Sequence, residues 1–387
     1  MKNLVSYWEK ESFLKYDIIV IGGGLVGLST ACELVERMPK VKVAILERGI
    51  LPTGASTKNA GFMCFGSPSE LLNDVKNCGW EVVMQMVEKK LDGMARLKNR
   101  LIFEDIELKE GYNGFEILTK DQLPILDKMD ELNRKLSEVP FFARYPSDKD
   151  NVFKLVSEEV RKSMKFKNVE ELICTTFEMQ VNTGKMMKSL YLYAQKLGIS
   201  IFTGTEVESF EELNQTMHVQ TTQNISFECG YLFIANNAFY QKFYPNENKV
   251  KSGRGQVLIT ERMEKGLPFM GNYHFDGGFV YFRNIGRDRL MLGGGRNIDF
   301  EGETSSDIEI TDIIQNNLEK LLKEMILPER NVKIEQRWAG IMAFTDNHLP
   351  IIEKKEKRVF TAVGLNGMGV AIGSNVAKEV VDLFLQK

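Results

Sequence analysis

A short run of β-branched and apolar residues, DIIVI at 17–21, ends directly in glycines, and the chain then reads as a helix over 25–37. A second apolar run, VKVAIL at 41–46, closes a β-α-β unit of about 30 residues. Between strand and helix, Gly22-Gly23-Gly24-Leu25-Val26-Gly27 fits G-x-G-x-x-G, a weak pattern alone and an informative one in this context. The first glycine permits a tight turn, the second lets a diphosphate approach the backbone, and the third lets the helix pack on the strand. Free N–H groups at the helix start would then face the phosphates. Glu47 ends the second strand, 23 positions after Gly24, where a carboxylate meets ribose hydroxyls and would repel a 2′-phosphate. The unit predicts a Rossmann-type domain that binds a dinucleotide other than NADP.

With 387 residues the chain exceeds one ordinary core and suits two domains. Helix formers with helical spacing of Met84, Val87, Leu91 and Met94 fill 81–144, and a helix over 184–197 leads into strands at 200–202, 206–210 and 231–235. Strand-like segments at 256–260, 278–282 and 290–292 sit among Gly and Asp-Arg turns, and 358–363 and 370–385 read as a final strand and helix. The fold class is therefore α/β, α+β overall. A discontinuous dinucleotide-binding domain is expected at 1–90, 155–238 and 333–387, and a mainly antiparallel-sheet substrate domain with helices at 91–154 and 239–332.

Several function classes are disfavoured. A formal charge of -3 provides no global positive field for nucleic acid. No apolar stretch approaches the ~20 residues of a membrane span, and residues 1–16 lack a signal-peptide core. Five scattered cysteines with no C-x-x-C pair fit a reducing, cytoplasmic setting. His218, His274 and His348 stand apart, without metal-ligand spacing, and no G-x-S-x-G elbow occurs.

Three further segments resemble the D-amino-acid oxidase superfamily of flavoproteins, which includes glycine oxidase, sarcosine oxidase and γ-glutamylputrescine oxidase. The string at 54–61, with Ala55, Ser56, Thr57, Asn59, Ala60 and Gly61, is similar to the family's G-A-S-x-x-N-[AG]-G segment beside the diphosphate and ribityl chain. Gly364, Asn366, Gly367, Met368, Gly369 and Val370 resemble the G-x-x-G-x-G turn that opens the last helix, whose N-terminus would stabilise negative charge on a reduced flavin. Trp338-Ala339-Gly340-Ile341 with Thr345, Asp346 and Pro350 is similar to the W-x-G-h…T-x-D-x-x-P block, although Asp346 follows the threonine directly. The resemblance implies FAD, bound also through Arg48, Val207 and Gly340. It implies a non-covalent cofactor as well, because 335–354 holds no cysteine where some relatives attach flavin.

The activity implied is oxidation of a C–N bond in a small amine or amino acid, by hydride transfer to flavin N5, giving an imine that hydrolyses. Oxygen or another electron acceptor would reoxidise the flavin. His274, Tyr281, Arg283, Trp338 and Met342 are the candidate residues around the substrate. Met342 stands where D-amino-acid oxidase and glycine oxidase keep a carboxylate-binding arginine, and Ala371 where sarcosine oxidases keep a lysine. Arg283, on an alternating strand with Tyr281, is the expected substitute cation. An NAD-dependent dehydrogenase and a flavoprotein of RNA modification remain alternatives, and the oligomeric state is open.

Overall fold

The computed structural model describes residues 5–386, so the first four residues of the segment read for a signal peptide lie outside the described residues. The first strand, Lys15–Ile21, buries its apolar run completely and sits in the middle of an eight-stranded mixed sheet whose central strands are parallel. Val43–Leu46 and Ser200–Phe202 extend the sheet on one side; Ser226–Ile234 and Val359–Val363 extend it on the other, in parallel register. Such strands are buried on both faces, which is why they read as continuous apolar runs rather than alternating ones. The Leu25–Arg37 helix follows the first strand tightly: a Cβ on Gly27 would stand 1.9 Å from the Gly22 carbonyl oxygen. Only glycine lets this helix and loop approach so closely.

The second sheet runs in the order Ile334–Phe344, Lys251–Thr260, Arg289–Gly294, Val280–Ile285, Asn272–Phe275, Gly114–Leu118, Glu171–Thr175, Lys154–Leu155. Side chains alternate along the strands beside the cleft. Leu258, Tyr273, Phe282 and Leu292 join one core cluster with Ile314 and Leu318 of the helix Asp312–Leu321, whereas His274 and Tyr281 point to the opposite face.

The sheets divide the chain differently from the sequence boundaries at two places. Glu171–Thr175 and Ile334–Phe344 hydrogen-bond into the second sheet, although both fall in ranges expected in the nucleotide-binding unit. Long-range pairing leaves no local mark in the sequence at such a boundary. The expected helical layer over 81–144 is also interrupted by the Gly114–Leu118 strand. Its main helix, Pro68–Arg100, is broken at Gly79 (φ 82°), so the part after the break starts where periodicity indicates and a further helical part precedes it. Ser67 and Glu70 form a capping box with Pro68 at the first position, a start signal that was present in the sequence.

Candidate active site

The carboxyl-terminal ends of the parallel strands converge on one cleft of about 620 Å³. Gly22 and Gly24 follow the first strand, Glu47 the second, residues 235–239 follow Ser226–Ile234, and 365–370 follow Val359–Val363; all of these line the cleft. Ligands of open α/β sheets gather at this edge, because strands end there and helices begin. Gly24 caps the Leu25–Arg37 helix without a side-chain acceptor, so its first-turn N–H groups face the cleft except Leu25 N, which donates to Ser56 Oγ (2.9 Å). Met368 likewise caps the Gly369–Leu385 helix with no side-chain bond. Two helix starts thus aim positive dipole ends at one cavity.

Glu47 is fixed by the backbone. Its Oε2 accepts from Gly23 N (2.7 Å) and its Oε1 from Gly49 N (2.9 Å), leaving a lone pair on each oxygen toward the cleft it lines. Arg48 lies 3.7 Å from the Phe239 ring centroid, and Val207 joins the wall nearby. Asn59 Oδ1 accepts from Gly61 N (2.8 Å) and Asn366 Oδ1 from Thr345 N (2.8 Å), so each asparagine ties a loop on the cavity wall.

The other side of the cleft is aromatic and charged. Phe62 stands edge-on to both His274 (5.4 Å) and Tyr281 (5.9 Å). His274 is buried between carboxylates, its Nδ1 3.3 Å from Glu70 and its Nε2 3.2 Å from Glu178. Burial acts to lower its pKa, yet the two carboxylates raise it well above the usual histidine range. Burial would raise Glu70, but the bond to His274 and its charge bring that carboxyl down to about 2. Cys64, Glu178 and His274 come close enough to suggest a metal site, but an imidazolium donating from both nitrogens has no lone pair for a cation. Burial pushes the Tyr281 hydroxyl up to about 12, so it stays neutral.

Over residues 17–383 the chain matches the family model described as DAO, FAD dependent oxidoreductase. The chain belongs to this family. It is 23% identical over 385 residues to γ-glutamylputrescine oxidoreductase of Escherichia coli K12, covering 95% of this chain and 83% of that protein. It is also 23% identical over 404 residues to D-amino acid dehydrogenase of Helicobacter pylori J99, covering 96% and 95%. In fold it is similar to glycine oxidase from Geobacillus kaustophilus, with a TM-score of 0.76 and 18% identity over 97% of this chain and 95% of that one. L-proline dehydrogenase from P. horikoshii gives a TM-score of 0.75 at 17% identity, over 96% and 94%.

As a DAO-family enzyme the chain is an FAD-dependent oxidoreductase, and its own residues fit that cofactor. The uncapped helix starts, the glycine cradle and the anchored Glu47 supply the donors and acceptor that a dinucleotide needs. Of the residues expected at the cofactor, Gly27, Thr57 and Gly364 do not line the cleft; Gly27 packs helix on strand, and Thr57 Oγ1 caps the Pro52 carbonyl (2.6 Å).

Among the substrate candidates, His274, Tyr281 and Met342 line the cleft and Arg283 and Trp338 do not. Arg283 does share the face of Tyr281, but its Nη1 donates to the carbonyls of Gly61 (2.8 Å) and Val181 (3.0 Å). Alternation fixes the face of a strand and is silent on how far along it the cavity reaches. Trp338 Nε1 donates to the Lys58 carbonyl (2.9 Å), bracing the 54–61 segment from outside. Arg254 and Gln256 are also committed elsewhere, to buried Glu303. Sequence reading missed Glu70, Lys90, Phe62 and Arg296 on the wall. For Arg296 the available signal was its place after Gly293-Gly294-Gly295, a glycine run at a strand end.

Proposed function

We propose that this enzyme oxidises a carbon–nitrogen bond of a small amine or amino acid, with FAD held non-covalently. The observation that carries the reading is that one cleft joins the two uncapped helix starts and Glu47 to the wall of Phe62, Tyr281 and His274. When bound, FAD supplies the two-electron acceptor for hydride removal from the carbon beside nitrogen. The chain contributes position and dryness. The Gly24 helix start and the 54–61 segment take the diphosphate, Glu47 the ribose, and the Gly369 helix start the electron-rich edge of the ring system. Tyr281 and Phe62 exclude water from the reacting carbon, and the product imine leaves to be hydrolysed in solvent. Cys64 lines the cleft, but burial first, and then Glu178 and Glu70, hold its thiol well above the usual range, which suits a packing residue rather than a flavin attachment.

The test is anaerobic bleaching of the purified yellow protein across primary amines, secondary amines, amino acids and 2-hydroxy acids, after acid release has shown FAD in the supernatant. Bleaching by a nitrogen compound is expected. Flavin reduced only by hydroxy acids, or flavin retained on the precipitate, would sink the reading.

A further inference from the structure

We infer that Arg296 is the anchor for a substrate carboxylate, so that the preferred substrates are amino acids rather than simple amines. The inference rests on the functional reading above, in that it takes the aromatic wall as the place of the reacting amine.

Arg296 follows the Arg289–Gly294 strand and lines the cleft. Its guanidinium lies 3.8 Å from the Phe344 centroid and 4.8 Å from that of Phe300, and Phe300 meets Phe279 edge-on at 5.6 Å. All three rings line the same cleft. Aromatic contacts take up the faces of the guanidinium and leave its N–H edge for a planar, bidentate partner. Gly253 makes room for this placement, since a Cβ there would stand 2.5 Å from Arg296 Nη1.

No such partner exists among the described residues: Arg296 makes no side-chain hydrogen bond or ion pair. The acid that influences it, Glu303, is held by other donors. Arg254 Nη2 and Gln256 Nε2 both donate to Glu303 Oε1, at 2.8 and 2.9 Å, and Thr311 Oγ1 adds a third donor at 3.3 Å. Burial lowers the pKa of Arg296, the mark of a cation taken from water without compensation. Most other cleft cations are occupied: Lys90 donates to the Phe65 carbonyl, Lys242 pairs with Glu206, His274 with Glu70 and Glu178, and His348 with Asp74. Lys58 is the rival, also without a side-chain partner among the described residues, but it lacks the aromatic seat and the planar fork of Arg296. Arg48 sits beside Glu47 at the ribose end. The Arg254–Glu303 pair, both side chains almost wholly buried, fixes the loop that carries Arg296, so the cation is positioned before a ligand arrives.

The experiment titrates the holoenzyme with acetate, benzoate, benzamide and inorganic phosphate, following the flavin difference spectrum and, separately, the rise in melting temperature. The carboxylates are expected to bind wild type. Arg296→Met should weaken them by roughly tenfold to a hundredfold, as loss of a charge-assisted bond does, with Arg296→Lys between. Lys58→Met, at the rival cleft cation, should change carboxylate affinity little, and FAD content should stay unchanged in both Arg296 variants. With amino-acid substrates Arg296→Met should raise KM far more than it lowers kcat. Equal carboxylate binding in wild type and Arg296→Met, binding to neither, dependence on Lys58 instead, or an Arg296-dependent preference for phosphate would each overturn the assignment. Wild type without FAD would condemn the functional reading alone, because the melting series still decides Arg296.

Discussion

Glu47 and Glu116 show how the same side chain is used in opposite ways. Glu47 is held by two backbone N–H groups at the cleft. Glu47→Ala removes a charge-assisted acceptor worth ~1.5–3 kcal/mol, so FAD affinity should fall at least about tenfold. Equilibrium dialysis against free FAD reads this directly, and unchanged retention would remove Glu47 from the site. Glu116 is buried beside Ser67 and Ser69, and burial raises its carboxyl from 4.5 to about 7. The folded state therefore binds this proton more tightly than the unfolded chain. Its contribution is complete below pH 4.5 and is lost as pH rises through 7, amounting to roughly 3 kcal/mol. Glu116→Gln should flatten the fall in melting temperature between pH 5 and 8; parallel curves for the two proteins would refute it. For Arg283→Met, the buried Val181 carbonyl loses its Arg283 donor, at about 1–3 kcal/mol, while the Gly61 carbonyl keeps the Val181 N–H. Lower stability with nearly unchanged KM is expected, and a large rise in KM would return Arg283 to the substrate.

At the scale of elements, the segment 296–311 presents Arg296 and depends on what lies beneath it. Glu303 is 1% exposed and meets Arg254 in a two-nitrogen contact, while Arg254 also reaches Glu309 and the Gly302 carbonyl. Breaking such a pair leaves a charge buried alone, so Arg254→Met should cost about 3–5 kcal/mol, whereas replacing both partners by apolar residues should cost much less. Denaturant melts of the single and double variants measure the difference, and equal losses would refute the coupling. The sequence disclosed the first β-α-β unit, the 54–61 string and the final turn, because each is set by neighbours in the chain: glycines where backbone must approach, an acid at a strand end. It could not disclose that Ile334–Phe344 crosses to the other sheet, or which of four arginines, at 254, 283, 296 and 337, lacks a partner. Pairing is a property of distance in space, and residues 254 and 303 are brought together only by the fold.

For the molecule as a whole, FAD binding and folding are linked. A ligand that binds only the native state at a hundred times its dissociation constant adds about 2.7 kcal/mol. Flavin-stripped protein should accordingly melt several degrees lower and recover with FAD but not with FMN or NAD; recovery with NAD would contradict the family's cofactor. No helix among the described residues is long and apolar enough to cross a membrane. The cleft is walled by the loop after Lys15–Ile21 and by the start of the Gly369–Leu385 helix, which packs back on the Leu25–Arg37 helix through Ser29 and Ser374 (3.4 Å between hydroxyls). Synthesis on the ribosome runs from one of these walls to the other. The nascent chain exposes its glycine loop early but cannot enclose a flavin until residues 359–385 have emerged and docked, so the first-made wall of the site must wait for the later-made one.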